Sequence, residues 1–324
     1  MNPLLKRSLS GAAFLAVTVG LLLCRLGYWL LFAFILMLSF REYYALRIFN
    51  RDGRASRDGA TGTSGGDAAS QGAPADNGAR QCAPAGGCAS PGVPGKCTAT
   101  KCAAFCTAMT ALIVFTSLFL HCAFGISLLW CTLAALPLLV ADILLLTERE
   151  PSFTGIPDLV LPLIYLLVPV AATLPVVFRC GEPYSPMLLL SLFILIWMSD
   201  VGAYVIGMGF GQRPSSKKLL PAVSPKKSWI GAAGGVAASL LAAVLLWKVE
   251  FCPGIPFAAW AVLGFTVPVA GLLGDLTESL VKRTAGVKDS GSFMPGHGGI
   301  LDRFDAFFFV LPASAIVLKL FALI

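Results

Sequence analysis

The sequence predicts an all-α integral membrane protein, a polytopic bundle of about nine transmembrane helices with a cytoplasmic N-terminus. Composition is the first reason. The 324 residues are 57% apolar and only 13% charged, against roughly 25% charged in soluble domains. The second is that the apolar residues gather in runs near the ~20 residues a helix needs to cross the hydrocarbon core. The third is a strong bias in where Lys and Arg fall between those runs. A soluble chain of this length would be read as two domains, and the runs exclude that reading.

The first run, near 9–24, follows Lys6 and Arg7 as the core of a secretory signal would. A second run, 27–40, starts almost at once with no small-x-small cleavage site between, so an uncleaved anchor is expected. Residues 1–51 therefore read as N-terminal transmembrane helices. Residues 52–102 break the pattern, being rich in Gly, Ala, Ser, Pro, Asp and Arg with no apolar period. Such a composition cannot bury a core and predicts a flexible cytoplasmic insert. Its cysteines, Cys82, Cys88, Cys97 and Cys102, form no C-x-x-C pair and have no His nearby, which argues against a zinc site. Cys24, Cys122, Cys131, Cys180 and Cys252 lie in or beside apolar runs and suit helix packing. Residues 103–198 hold the middle spans, near 104–121, 126–146, 157–178 and the start of 185–207. The region 199–324 adds spans near 230–247, 255–274 and 306–324, and nearly all the polar chemistry.

With the N-terminus cytoplasmic, twenty Lys and Arg fall in cytoplasmic segments and only Arg25, Arg179 and Lys248 on the other side. Leaving out the eight between 41 and 101, because long loops count for little, twelve remain against three. The net charge of +7 thus reads as membrane orientation and anionic ligands. Nucleic-acid binding is disfavoured, since no soluble basic domain exists to carry it.

Three polar segments fall on the cytoplasmic face. In Trp197-Met-Ser199-Asp200-Val-Gly202-Ala-Tyr204 an acid interrupts an apolar run. It is either hydrogen-bonded between helices or lines a polar cavity, the usual role of intramembrane carboxylates. The following Gly207-Met-Gly209-Phe-Gly211 suits a phosphate cradle or a close helix contact. The second segment, Lys217-Lys218 with Ser224-Pro225-Lys226-Lys227-Ser228-Trp229-Ile230-Gly231, is a positive flank of the next span or an anion site at a helix N-terminus. The third begins Gly274-Asp275-Leu-Thr-Glu278-Ser279-Leu-Val-Lys282-Arg283. Residues three and four apart share a helix face, so Asp275, Glu278, Ser279 and Lys282 form one polar stripe. It continues through Lys288-Asp289 to His297-Gly298-Gly299-Ile-Leu-Asp302-Arg303-Phe-Asp305. From Ser279 to Asp305, eight ionisable side chains fall within twenty-seven residues. The Gly-Gly pair permits a tight turn that places Asp302 and Asp305 on one face of the last helix. Asp275 and Asp302, on separate helix ends, can then converge on Mg²⁺, which takes one or two carboxylates plus phosphate oxygens and water.

Ser279, Lys282, Arg283, Lys288, Asp289, Pro295, His297, Gly298, Gly299, Asp302, Arg303 and Asp305 stand in the register of the phosphatidate cytidylyltransferase (CDP-diacylglycerol synthase) family, which the chain resembles over roughly 199–305. Ser224, Pro225, Lys227, Trp229 and Gly231 also match; Ser228 keeps a hydroxyl, and Ile230 stands where that family has glutamate. The resemblance implies transfer of the cytidylyl group of CTP to phosphatidic acid, giving CDP-diacylglycerol and diphosphate in phospholipid biosynthesis. It implies that Asp275, Lys282, Arg283, Asp302 and Arg303 are catalytic. Ser224, Lys227, Ser228, Ser279, Lys288, Asp289, His297, Gly298 and Gly299 would then hold substrate. Asp275 and Asp302 would bind Mg²⁺, with Asp305 and Asp200 as supporting acids and a second, monovalent or divalent, cation left open. The implied setting is a bacterial-type inner membrane with the site facing the cytoplasm, amid membrane lipids, with a homodimer left open.

The chain has only two histidines, which fits this chemistry. A phosphomonoester has its second pKa near ~6 and is already largely dianionic, so it needs no strong base to attack. Phosphoryl chemistry depends on positioning and charge neutralisation. The rivals are a cytidylyltransferase for another lipid phosphate, such as an isoprenoid ether lipid, and a membrane transporter. Transporters often carry internal repeats, and no second copy of the 275–305 pattern occurs.

Overall fold

Six helices among the described residues are long and apolar enough to cross a membrane. The computed structural model describes residues 3–61, 94–127, 160–179, 183–213, 216–221, 223–291, 293 and 298–324. Its first helix, α1 (Pro3–Leu22), has a shorter apolar stretch, Gly11–Leu22. The six spans are the apolar parts of α2 (Arg25–Thr61) and α3 (Pro94–Phe124), then α4 (Val160–Val177), α5 (Met187–Gly209), α6 (Trp229–Lys248) and α7 (Phe257–Thr284). Two shorter helices close the chain, α8 (Leu301–Phe304) and α9 (Phe307–Leu320). The protein is a multi-pass membrane protein. Of the expected insert, α2 runs to Thr61 and α3 begins at Pro94. Its remainder, and most of the run expected near 126–146, lie outside the described residues.

The two ends of the bundle are distinct. At one, Arg25 Nη1 donates to Ala123 O at 3.1 Å and its guanidinium lies 4.4 Å from the Phe124 ring. There too Tyr184 OH donates to Leu22 O at 2.5 Å and Arg179 Nε to Leu323 O at 3.1 Å. Toward the same end, buried Tyr28 shares a 2.5 Å hydrogen bond with Thr173 and packs on Phe32 and Tyr184. The other end gathers Glu42, Lys227, Asp275, Lys282 and Asp302.

Lipid tails are as apolar as leucine, so helices in a bilayer associate through close packing of small residues rather than through hydrophobic burial. The most extensive pairing, α5 with α6, follows that rule. Gly202 lies so close to α6 that a Cβ there would strike Ala238 and the Gly234 backbone, and Gly207 lies over Gly231. Gly209 is the last residue of α5, and Gly211 lies against Ser228 Oγ. Among the described residues, α4 carries a π-helical turn at Leu163–Leu167 ahead of Pro169. Proline removes a backbone donor, and such turns recur at functional sites.

A two-stranded hairpin, β1 (Lys218–Leu220) and β2 (Ser224–Ser228), joins α5 to α6 and is an addition to the expected all-helical plan. The strands are antiparallel, pairing Lys218 with Ser228 and Leu220 with Ser224. Lys218 Nζ ties the hairpin to the end of α5 through Gly211 O at 2.8 Å and Gln212 Oε1 at 3.2 Å. Helix α7 has 28 residues, about 42 Å at 1.5 Å per residue, against a hydrocarbon core of about 30 Å. Its last turns therefore project toward the headgroup region. The run expected to end near 274 goes on ten residues further, carrying the polar stripe with it.

Candidate active site

The stripe on α7 forms as the helical spacing predicts. Ser279 Oγ donates to Asp275 Oδ1 at 3.2 Å, and Lys282 Nζ lies 2.7 Å from Glu278 Oε2 one turn earlier. Lys282 also reaches out of its helix, with Nζ 2.7 Å from Asp302 Oδ1. The other Asp302 oxygen, Oδ2, accepts from Ser290 N and Gly299 N, each at 2.9 Å. Burial alone would raise the Asp302 carboxyl. Its contacts with the Glu278 and Lys282 side chains and the Gly299 and Ser290 amides outweigh that and hold it at about 2.

Asp302 and Asp305 stand three residues apart across the junction of α8 and α9, where the backbone keeps right-handed helical dihedrals at Asp305 (φ −53°, ψ −48°) and Ala306 (φ −62°, ψ −39°). Helix α8 ends at Phe304, and Asp305 turns its Oδ1 onto Ala306 N at 2.7 Å, between α8 and α9. This brings Asp305 to α7. Gly274 is packed so tightly on the Asp305 carbonyl that any side chain there would collide with it. Ligand oxygens of Asp275, Glu278 and Asp305 consequently lie within 4.8 Å of one another. Burial, with Asp275 nearby, pushes the Asp305 carboxyl up to about 7. From α5, Asp200 lies within electrostatic reach of Asp275 and Lys227.

Sequence spacing pairs Asp275 with Asp302 as ligands. Of the supporting acids, the structure sets Asp305, together with Glu278, beside Asp275, and it engages Asp302 with Lys282 and two amides. Glu278, 1% exposed, is the acid that spacing places in the stripe without a role. Three carboxylates this close repel one another, and two ammonium groups face them, Lys227 on Asp275 and Lys282 on Glu278. Hard oxygen donors converging from two chain segments, with one face partly open at Asp275, suit Mg²⁺.

The hairpin supplies the other wall. Lys227, near the end of β2, forms an ion pair with Asp275 Oδ2 and is largely shielded from solvent. Ser228 caps α6, its Oγ accepting from Gly231 N at 3.2 Å, so this hydroxyl serves the helix start. Ser224 is half-buried at the start of β2; Lys226, Trp229 and Ile230 are exposed. Beyond α7, Arg283, Lys288 and Asp289 are exposed around a turn made by Gly286 at φ 72°, and Arg303 is exposed on α8. Gly298, at φ 83°, and Gly299 enter α8. His297 lies outside the described residues.

One residue escaped the sequence reading. Glu42 of α2 is buried against this site, its carboxylate accepting hydrogen bonds from Ser290, Ile300 and Leu301. Some 258 residues separate it from Ile300, and no spacing signal connects them. The available sign was an acid in the last turns of an apolar span.

Residues 94–321 match the sequence model of the cytidylyltransferase family. The chain is 45% identical to the phosphatidate cytidylyltransferase of Bacillus subtilis over 129 residues, 40% of this chain and 46% of that protein. It is 46% identical over 129 residues to the proteins of that name from Staphylococcus aureus strain COL and Staphylococcus haemolyticus, covering 39% of this chain and 46% of each. The match thus spans about half the length of these relatives. A family match across well over half the chain, on a helical bundle with its acids and lysines gathered at one end, places the protein in the cytidylyltransferase family.

Proposed function

We propose that the protein is a phosphatidate cytidylyltransferase, converting CTP and phosphatidic acid into CDP-diacylglycerol and diphosphate. The observation that carries this reading is the Asp275–Glu278–Asp305 cluster, flanked by Lys227 and Lys282, at one end of an apolar bundle. A lipid phosphate can reach such a place from the bilayer, and a nucleotide from the aqueous side.

In the reaction an oxygen of the lipid phosphate bonds to the α-phosphorus of CTP. The bond from that phosphorus to the bridging oxygen breaks, and diphosphate leaves with its electron pair. Asp275, Glu278 and Asp305 would hold Mg²⁺, with Asp200 and Asp302 in support. Bound there, the ion neutralises phosphate charge. Lys227 exchanges its contact with Asp275 for a phosphate oxygen. Lys282 keeps two carboxylates in place and presents positive charge to the leaving group. Arg283, Lys288 and Arg303, exposed at the rim, attract the triphosphate. No strong base is required, since the attacking phosphate is largely dianionic near neutral pH.

The site faces the cytoplasm of a bacterial-type inner membrane in this reading. The support is that Lys227, Lys282, Arg283, Lys288 and Arg303 all lie toward the site end, while Arg25 and Arg179 lie at the other. Purified protein given CTP, Mg²⁺ and phosphatidic acid should release diphosphate. Release with an isoprenoid ether lipid phosphate but not with phosphatidic acid would reassign the substrate; release with neither would overturn the reading.

A further inference from the structure

Glu42 lies N-terminal to the residues matched by the family, yet it reaches into the loop between α7 and α8. Its carboxylate accepts from Ser290 Oγ, Ile300 N and Leu301 N, each at 2.9 Å. All three donors sit at the neck of that loop, one on the segment that follows α7 and two at the start of α8. The neck is built around this carboxylate. A Cβ on Gly291 would come within 2.6 Å of Glu42 Oε1, and one on Gly299 would collide with both Glu42 Oε2 and Ser290 Oγ. Asp302 grips the same neck through Ser290 N and Gly299 N. Ser290 thus gives its hydroxyl to Glu42 and its amide to Asp302. Displacing Glu42 shifts the donors that orient Asp302, and with them Lys282, which bridges Asp302 to Glu278.

We propose that Glu42 is a positioning residue. It holds Ser290 against Ile300 and Leu301 so that Asp302 and Lys282 stand beside the Asp275–Glu278–Asp305 cluster, and it touches none of the reacting groups itself. Hydrogen bonds to an ionised carboxylate are roughly twice as strong as neutral ones, and the site tolerates little displacement, since a 1 Å misplacement can cost about a hundredfold in rate. A residue that only stapled α2 to the loop would lower stability and leave the turnover of folded molecules unchanged.

The inference rests on the cytidylyl-transfer reading for its kinetic arm, but its structural arm needs no activity. The full chain, Glu42→Gln and Ser290→Ala are compared in lipid–detergent micelles by amide hydrogen exchange and by steady-state kinetics with CTP and phosphatidic acid. Glu42→Gln should speed exchange at Ile300 and Leu301 while the bundle exchanges as in the wild type. Its kcat per folded molecule should fall at least tenfold, with KM for CTP within about threefold. Ser290→Ala, which removes one donor of three, should show a smaller loss of the same kind. A kcat within twofold of wild type for Glu42→Gln, or unchanged exchange at 300 and 301, overturns the proposal. Should Glu42→Gln fail to fold, unchanged kcat in Ser290→Ala overturns it. A wild type that transfers no cytidylyl group, while Glu42→Gln still alters exchange at 300 and 301, refutes the reaction assignment and leaves the clamp standing.

Discussion

Lys282→Met removes the charge at the centre of the site while keeping most of the side-chain volume. Lys282 Nζ stands 2.7 Å from both Glu278 Oε2 and Asp302 Oδ1, so those oxygens are at most about 5.4 Å apart, twice 2.7 Å. Both side chains are nearly sealed from water, at 1% and 6% exposure. With Glu278 acting as a hydrogen-bonding partner of Asp302, the charged pair is the Lys282 ammonium and the Asp302 carboxylate, and at an effective dielectric near 20 unit charges ~4 Å apart attract by ~4 kcal/mol. Removing one member of a buried ion pair typically costs about 3–5 kcal/mol, the same range, and a large share of a total stability near 5–15 kcal/mol. Thermal or denaturant unfolding in lipid–detergent micelles should register this loss, and adding Asp302→Asn should recover part of it by removing the carboxylate left unpaired. If Lys282→Met lies within about 0.5 kcal/mol of the wild type, or the second substitution deepens the loss, the picture of a buried Lys282–Asp302 ion pair is refuted.

Asp275→Asn keeps size and removes charge, so Mg²⁺-dependent turnover should collapse while membrane insertion persists; near-normal turnover at ordinary Mg²⁺ would place the ion elsewhere. Lys227→Ala should lower kcat/KM for CTP by roughly ten- to a hundredfold, the cost of one charge-assisted hydrogen bond. Lys226→Ala, exposed on the hairpin, should stay mostly active, and equal mild losses in both would reduce these lysines to topology signals. Asp302, held near 2 against an ordinary 3.8, contributes about 2 kcal/mol that is complete above about pH 4 and lost as pH falls toward 2. In chelator, the acid limb of the stability curve should therefore flatten in Asp302→Asn, and an unchanged limb would contradict the assignment. Cys24 and Cys122, exposed at the end away from the site, should react with an impermeant thiol reagent in intact cells, and Cys82 and Cys88 only in inverted vesicles. The opposite pattern would reverse the orientation.

The spans were legible because a bilayer imposes a length, and runs such as 230–247 and 255–274 meet it without help from tertiary contacts. The stripe from Asp275 to Lys282 was legible for a similar reason, since helical period alone brings those side chains to one face. What period cannot show is which element a side chain meets. Lys282 looked like a phosphate ligand, and it also bridges Glu278 to Asp302 across a twenty-residue separation. Asp302 and Asp305 looked like neighbours on one helix face, and helical dihedrals persist between them, but Asp302 is held by Lys282 and two amides while Asp305 lies beside Asp275 and Glu278. The hairpin at 218–228 was hidden because its strands are three and five residues long and lysine-rich, so they lack an alternating apolar pattern. Glu42 was hidden by distance along the chain.

The central claim is that a lipid phosphate receives a cytidylyl group at the Asp275–Glu278–Asp305 cluster. Its most direct test follows cytidine-labelled CTP into the organic-soluble fraction, with phosphatidic acid and Mg²⁺ present, for the wild type and Asp275→Asn side by side. The account predicts labelled lipid and an equal amount of diphosphate from the wild type, and almost none from the variant or with Mg²⁺ withheld. Label that stays in the aqueous phase with the wild type, or that reaches lipid equally well with Asp275→Asn, would contradict it.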